Sequence, residues 1–316
     1  MLSETETTNN TMRAVVQTSY NGIQDLQIQT VAKPHLTPLS VMIQTKFTPV
    51  LPYDRMTEEG RLQQLRPTRL PLVVGYGFGG IVTAVGALRS RQLLGQAVIG
   101  AAPAGSHQEY INSQWPPLLF PVPAGVDLAA ATTLIGGADA ALMAVRQTRP
   151  TARDVVLITG ASGGVGTYLV QLLKQRGATV VALARPENRE WLLTLGADVV
   201  LDYTQDLPAA LATAPTPTQV IDTVGSAALL DQISRTAGPL TIFSLSLPAY
   251  QPTKTAQAFR FGNGSVGLHD YQDLLAMLAN GTLTSMIQTV LPFQQVREAQ
   301  ALGKTHHTHG RILLSY

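Results

Sequence analysis

One stretch, Val155–Gly166 (VVLITGASGGVG), constrains this chain more than any other. Val155, Val156, Leu157 and Ile158 form an apolar, β-branched run, the pattern of a strand buried on both faces. Glycines follow at 160, 163, 164 and 166, and then Tyr168, Leu169, Leu172 and Leu173 recur at helical spacing as far as Gly177, a helix stop. Strand, glycine turn and helix in succession are the setting in which a glycine motif binds a dinucleotide. The backbone comes close to a pyrophosphate, and the helix start offers it amide N–H groups and a positive dipole end. The spacing is Ala161-x-Gly163-x-x-Gly166, with alanine where the commonest fingerprint has its first glycine. A second strand, Thr179–Leu183, completes a βαβ unit of about thirty residues. Gly160, Ala161, Ser162, Gly163, Gly164, Val165 and Gly166 are therefore assigned to cofactor phosphate binding.

The end of the second strand bears on which dinucleotide binds. An NAD site places Asp or Glu there for the ribose 2′-OH, whereas a 2′-phosphate favours a cation. Here the strand runs into Ala184, Arg185, Pro186, Glu187, Asn188 and Arg189, with an arginine directly at its end. A guanidinium binds phosphate through a planar fork, so Arg185 and Arg189 point to NADP(H). The competing reading makes them solvated charges on a loop and a helix start.

Composition excludes several function classes. Apolar residues make up 45% of the 316 and charged ones 13%, enough for sizeable cores and too few charges for wholesale disorder. A net charge of +2 gives no basic surface for nucleic acid. There is no cysteine, hence no disulfide, no thiolate metal site and no cysteine nucleophile, which fits a reducing cytoplasm. No apolar run reaches membrane-spanning length, and the N-terminus (MLSETETTNN) is polar, unlike a signal peptide.

In chain order, Arg13–Gln17 and Leu26–Gln29 read as strands about an Asn21-Gly22 hairpin turn, and Val41–Thr45 as another strand. Leu70–Gly86 alternates glycines with apolar residues, as strands passing close to other backbone do. Asp127–Arg146 has helical spacing. From there strands at 155–159, 179–183, 199–201, 219–224 and 240–245 alternate with helices, which predicts a parallel sheet covered on both faces. Helices at Tyr271–Ala279 and Phe293–Gly303 and a last strand at Arg311–Ser315 follow.

Taken together these motifs resemble the medium-chain dehydrogenase/reductase superfamily, in its zinc-independent quinone oxidoreductase branch. VMIQTKFTPVLPYD (Val41–Asp54) is similar to the family's strand and Asn-Pro-x-Asp turn. GYGFGGIVTAVG, LGQAVIG, ITGASGGVG, LGADVVLDY, VIDTVG and HGRILLSY follow in the family's order. The resemblance implies an α/β fold: a Rossmann doubly wound parallel sheet at 125–254 that binds NADP, and a GroES-like, mostly-β catalytic domain from 1–124 and 255–316. It implies a homodimer, and a substrate that meets the nicotinamide in the cleft. The activity it implies is zinc-independent, NADPH-dependent hydride transfer to a quinone or α,β-unsaturated carbonyl. The alternatives are an NADPH-binding redox sensor or a crystallin- or RNA-binding-like protein with little turnover; nucleic-acid and membrane partners are not expected.

Departures from the family pattern mark candidate site residues. The zinc-dependent Gly-His-Glu reads Gly75-Tyr76-Gly77, so no metal is expected. His306, His307 and His309 lack carboxylate and thiolate neighbours and read as a solvated turn. Leu51 replaces the turn asparagine, and Leu51, Asp54 and Met56 are assigned to the substrate pocket. Asp54 matches the family's turn aspartate and suits a cap. Tyr53 is the hydroxyl singled out as proton donor, against the alternative of a packing aromatic. Asp139 stands at the family's nicotinamide threonine, and Tyr203 follows the third strand at the adenosine end; both are assigned to the cofactor.

Overall fold

The computed structural model describes residues 10–64, 66–114, 118–262, 264, 266–304 and 308–316. The chain divides into two compact units. The first comprises the chain up to Val122 with Val290–Lys304 and Leu313–Tyr316; the second comprises Pro123–Thr289 and a short return ending at Ile312.

In the first unit, Thr11–Gln17 pairs antiparallel with Gln27–Ala32, Val15 opposite Ile28, and with Leu72–Val73 on its other side. The strands are those expected, but Asn21-Gly22 is not a two-residue hairpin turn. Gly22, at φ +69°, opens a short 3-10 helix, Gly22–Asp25. The Asp25 carboxylate then accepts the Thr18 N–H at 2.8 Å and ties the longer loop together. A second sheet centres on Val41–Pro49, which pairs with Gly77–Val85, with Tyr110–Ser113 and with the closing strand through Leu313–Ser315. Val41, Ile43, Phe78, Val82, Val98 and Ile111 build its core. The glycine-rich strand is there because backbones nearly touch: a Cβ at Gly80 would lie 2.4 Å from the Gln44 carbonyl oxygen.

The second unit holds a six-stranded parallel sheet. Its order is Val199–Asp202, Thr179–Ala184, Val155–Thr159, Gln219–Asp222, Leu240–Ser244, Gln257–Phe261. Counted along the unit this is 3-2-1-4-5-6, the doubly wound order whose reversal point lies beside the first strand. Val156, Leu157 and Ile158 are wholly buried, as a strand covered on both faces requires. The expected strands are present to within two residues. The compact unit runs past the expected 254 as far as Thr289, with Gln257–Phe261 as a sixth strand, Thr241 opposite Ala258. The next helix, Leu268–Ala279, is fastened to the same unit by an Arg146–Asp270 ion pair and by the Tyr271 hydroxyl on Asp139.

The single helix expected over 127–146 is broken. Asp127 caps Leu128–Thr132 by accepting the Ala130 N–H at 2.8 Å. Ile135 then turns extended and Gly136 takes φ +68°, before Asp139–Thr148 resumes the helix. Among the described residues no helix is long and apolar enough to cross a membrane.

Candidate active site

The glycine turn sits at the carboxyl end of the central strand of the second unit, where doubly wound sheets bind ligands. Each glycine meets a different constraint. Gly160 has φ +64°, and a Cβ there would lie 2.6 Å from Thr223 Oγ1. A Cβ at Gly166, the first residue of helix Gly166–Gln175, would lie 2.2 Å from the Gly160 carbonyl oxygen. Helix and turn therefore pack backbone to backbone. At Gly163 the nearest atom to an added Cβ is 3.4 Å away, so that glycine leaves space at the turn rather than meeting a packing need. Ala161 is buried and its N–H donates to the Leu183 carbonyl at 3.3 Å; its backbone lies outside the left-handed region, so the fingerprint's first position here does not require glycine.

Two residues that sequence reasoning did not assign to the site hold this turn. Asp222, fully buried at the end of its strand, accepts from Thr159 Oγ1 and Ser244 Oγ, both at 2.6 Å, and from the Gly225 N–H at 3.1 Å. One carboxylate thus ties together the carboxyl ends of three parallel strands. Arg311 lies across the turn: it donates to the Gly136 carbonyl at 2.5 Å, and its guanidinium carbon is 2.6 Å from where a Gly164 Cβ would stand. The adjoining Gly310 N–H donates to the Ser162 carbonyl at 2.7 Å, so the C-terminal return is laid against the glycine turn. Both residues lie in motifs visible in sequence, VIDTVG and HGRILLSY, but the contacts that tie them to the turn are distant in the chain: Thr159 is 63 residues from Asp222, and Gly136 is 175 from Arg311.

The remaining cofactor candidates are placed as follows. Arg185 ends its strand as expected, but carboxylates accompany it: Glu187 is 3.9 Å away, and the Arg185 charge helps hold the Asp202 carboxyl below its ordinary range, behind hydrogen bonds from Thr204. Arg189 donates to the Val200 carbonyl at 2.8 Å, an internal contact. Tyr203 packs on the core cluster of Leu157, Leu183 and Leu207. Asp139 serves the helix break: it accepts the N–H of Gly136 at 3.0 Å and of Ala140 at 2.6 Å and the Tyr271 hydroxyl at 2.9 Å. Burial pushes its carboxyl above the ordinary range, and those hydrogen bonds oppose the rise.

The first unit contains a cavity of about 420 Å³. Tyr53, Asp54 and Thr57 line it from the helix Pro52–Glu58. Leu51 and Met56 do not line it: Leu51 precedes the helix with its side chain buried, and Met56 falls off the helical face that 53, 54 and 57 share. Asp54 accepts the Leu51 N–H at 3.1 Å, capping the helix. The Tyr53 hydroxyl accepts from Arg66 Nη1 at 3.2 Å, and the ring packs edge-on against Tyr76 at 5.5 Å.

Behind this helix Glu58 is wholly buried, with Oε1 accepting from Gln300 Nε2 at 2.9 Å. Burial, and then the Asp54 charge one turn away, push its carboxyl up to about 8. His107 is also fully buried, and burial pushes it down to about 3, so the imidazole is neutral.

A zinc site does not fit these residues. The chain has no cysteine, Tyr76 rather than a histidine packs at the Gly-His-Glu position, and no group of three His, Asp or Glu suited to a metal occurs among the described residues. His306 and His307 lie outside the described residues; the His309 N–H donates to Gln288.

Comparison with known proteins agrees with this fold. A family model described as zinc-binding dehydrogenase matches residues 164–278. A chloroplastic NADPH-dependent alkenal/one oxidoreductase of Arabidopsis thaliana is 26% identical over 324 residues, covering 96% of this chain and 79% of the relative. A chloroplastic quinone-oxidoreductase homolog of Spinacia oleracea is 31% identical over 202 residues, 61% of either chain. The solved quinone oxidoreductase of Coxiella burnetii superposes with TM-score 0.83 at 22% identity, over 97% of this chain and 99% of that one. A thermostable alcohol dehydrogenase of Pyrobaculum aerophilum superposes with TM-score 0.81 at 21% identity, over 97% and 100%. The fold is a Rossmann sheet combined with a GroES-like, mostly-β part.

Proposed function

The chain belongs to the medium-chain dehydrogenase/reductase family, in its quinone-oxidoreductase-like group, and on that premise we propose that it is a zinc-free, NADPH-dependent reductase of quinones or α,β-unsaturated carbonyl compounds. The observation that carries the reading is the glycine turn, where Thr223 and Val224 exclude a side chain at Gly160 and backbone packing excludes one at Gly166, while Gly163, before the helix start, is under no such packing constraint. In this reading Gly160–Gly166 hold the pyrophosphate, Arg185 turns from Glu187 to the 2′-phosphate, and Arg189 and Tyr203 flank the adenosine end. The NADPH-dependent alkenal/one activity named for the Arabidopsis relative supports the choice of cofactor and substrate class.

When bound, the nicotinamide supplies the hydride, and the protein supplies orientation and a shielded pocket. The substrate occupies the cavity beside Tyr53. The Tyr53 oxygen accepts an N–H from Arg66, which leaves its own O–H to donate a proton where enolate charge develops. The reading carries with it a homodimer in the cytoplasm. A second reading, a sensor that holds NADPH without turnover, is favoured by one observation: Asp139, at the nicotinamide position, spends its oxygens on the helix break.

Fluorescence titration of NADPH and NADH against wild type and Arg185→Ala tests the cofactor. We expect NADPH to bind more tightly and to lose about tenfold in the variant, the worth of a charge-assisted fork. Equal affinities unaffected by the substitution would overturn the 2′-phosphate assignment. Steady-state NADPH oxidation with quinones and enones separates the reductase from the sensor.

A further inference from the structure

We propose that the cavity of the first unit is an acid-selective substrate pocket, whose occupant is a conjugated carbonyl compound bearing a carboxylate, bound by the Arg66 guanidinium with Arg69 beside it. The proposal rests on the reductase reading above and narrows its substrate class.

The charged residues lining the cavity are Arg66, Arg69 and Asp54. Asp54 is 2% exposed and its carboxylate caps the helix at the Leu51 N–H. Neither arginine takes part in any of the ion pairs made among the described residues. The wall therefore carries an excess of positive charge in a concave setting, which concentrates anions.

Arg66 is held in place entirely by neutral groups. Its Nη1 donates to the Tyr53 hydroxyl at 3.2 Å and its Nη2 to the Pro103 carbonyl. Its guanidinium carbon lies 5.7 Å from the Tyr53 ring centre and 5.8 Å from that of Tyr76. The contacts order the fork without neutralising it, so little side-chain freedom is left to lose when an anion binds. Each Nη carries a second N–H, and a planar fork matches the two oxygens of a carboxylate.

Size and shape agree with this occupant. A volume of about 420 Å³ is ample for a substituted, planar conjugated molecule, and the Tyr53 ring, braced edge-on by Tyr76 behind it, gives the cavity an aromatic face. Because Arg66 also touches the Tyr53 hydroxyl, an acid anchored there sets its conjugated system beside the proposed proton donor.

The test compares 4-oxo-4-phenylbut-2-enoic acid with its methyl ester, reading the acid-to-ester ratio of kcat/KM with NADPH. The ratio should be at least about tenfold in the wild type, collapse towards unity in Arg66→Gln, and be partly restored in Arg66→Lys. Arg69→Gln, at an exposed side chain whose loss does not threaten the fold, should lower the ratio about threefold and so decides the matter if the Arg66 variants do not fold. A wild-type ratio near unity, or a ratio unmoved by both glutamine substitutions, would overturn the proposal and leave the reductase reading intact. Calorimetric titration with the saturated analogue, 4-oxo-4-phenylbutanoic acid, separates the two failures. Binding that is lost in Arg66→Gln, with neither enone reduced, keeps the anion pocket and removes the reductase. No binding and no reduction removes both.

Discussion

A methyl group at Gly166 would stand 2.2 Å from the Gly160 carbonyl oxygen, whereas one at Gly163 meets nothing nearer than 3.4 Å. The two substitutions should therefore part company. Gly166→Ala is expected to destabilise the fold by about 2–3 kcal/mol through forced overpacking. Gly163→Ala should leave stability within about 0.5 kcal/mol yet weaken NADPH about tenfold or more, since its methyl group enters the space left for the cofactor. Urea unfolding and cofactor titration on both variants check the split; equal losses of stability would contradict it. Glu58 gives a second prediction at this scale. Its folded-state value, raised from 4.5 to about 8, means that the native protein keeps a proton the unfolded chain releases. Stability is thus fully present below about 4.5 and is lost as pH rises through about 8, by at most about 1.4 kcal/mol per pH unit. Glu58→Gln, which keeps an acceptor for Gln300, should flatten that slope in urea unfolding between pH 5 and 8. An unchanged slope would show that Glu58 is not its source.

Among the elements, the broken helix is the one most shaped by a single backbone angle. Gly136 sits at φ +68°, in the left-handed region, and Asp139 accepts its N–H at 3.0 Å. Gly136→Ala should cost about 1–2 kcal/mol from that strain alone, measurable by denaturant unfolding. A neutral or stabilising result would mean the segment straightens into one continuous helix. The alanine- and leucine-rich pattern of 127–146 is compatible with that continuous helix, which is why spacing alone did not place the break. Apolar period carries the helical tendency; the break arises because the Asp139 carboxylate and the Arg311 guanidinium take up the backbone groups that a bend frees. The hairpin illustrates the same limit. Pairing of the two strands follows from their apolar pattern, but the form of the loop depends on Asp25 reaching back to Thr18. By contrast five of the six parallel strands were legible, because a strand buried on both faces is largely apolar, whereas the edge strand Gln257–Phe261, with alternate residues exposed, was not.

At the scale of the molecule, the glycine turn and the cavity belong to different compact units, and only the unit that holds the turn is stabilised directly by the dinucleotide in our reading. Scanning calorimetry with NADPH at about a hundred times its Kd should add about 2.7 kcal/mol to the transition of the second unit. A transition unmoved by saturating NADPH would contradict the assignment of the turn. The division itself differs from expectation at residues 255–289 and in the short return ending at Ile312, both of which belong to the second unit. Residues 255–289 join the parallel sheet and its covering helices because Gln257–Phe261 completes hydrogen bonds along Leu240–Ser244 that would otherwise end at an open edge.

The order of elements, the first five strands of the parallel sheet and the place of the glycine turn were determined by local sequence, for each rests on a period or a glycine spacing within about thirty residues. The tertiary structure alone decided what supports and surrounds them. Asp222 joins three strand ends, Arg311 comes back from the C-terminus to brace the turn, and Arg66 is oriented between Tyr53 and Tyr76. A charged or polar side chain leaves no periodic trace of its partner in the sequence. Its role is set by which distant carbonyl, hydroxyl or ring the fold brings within a few ångströms, and by how much water the fold removes around it.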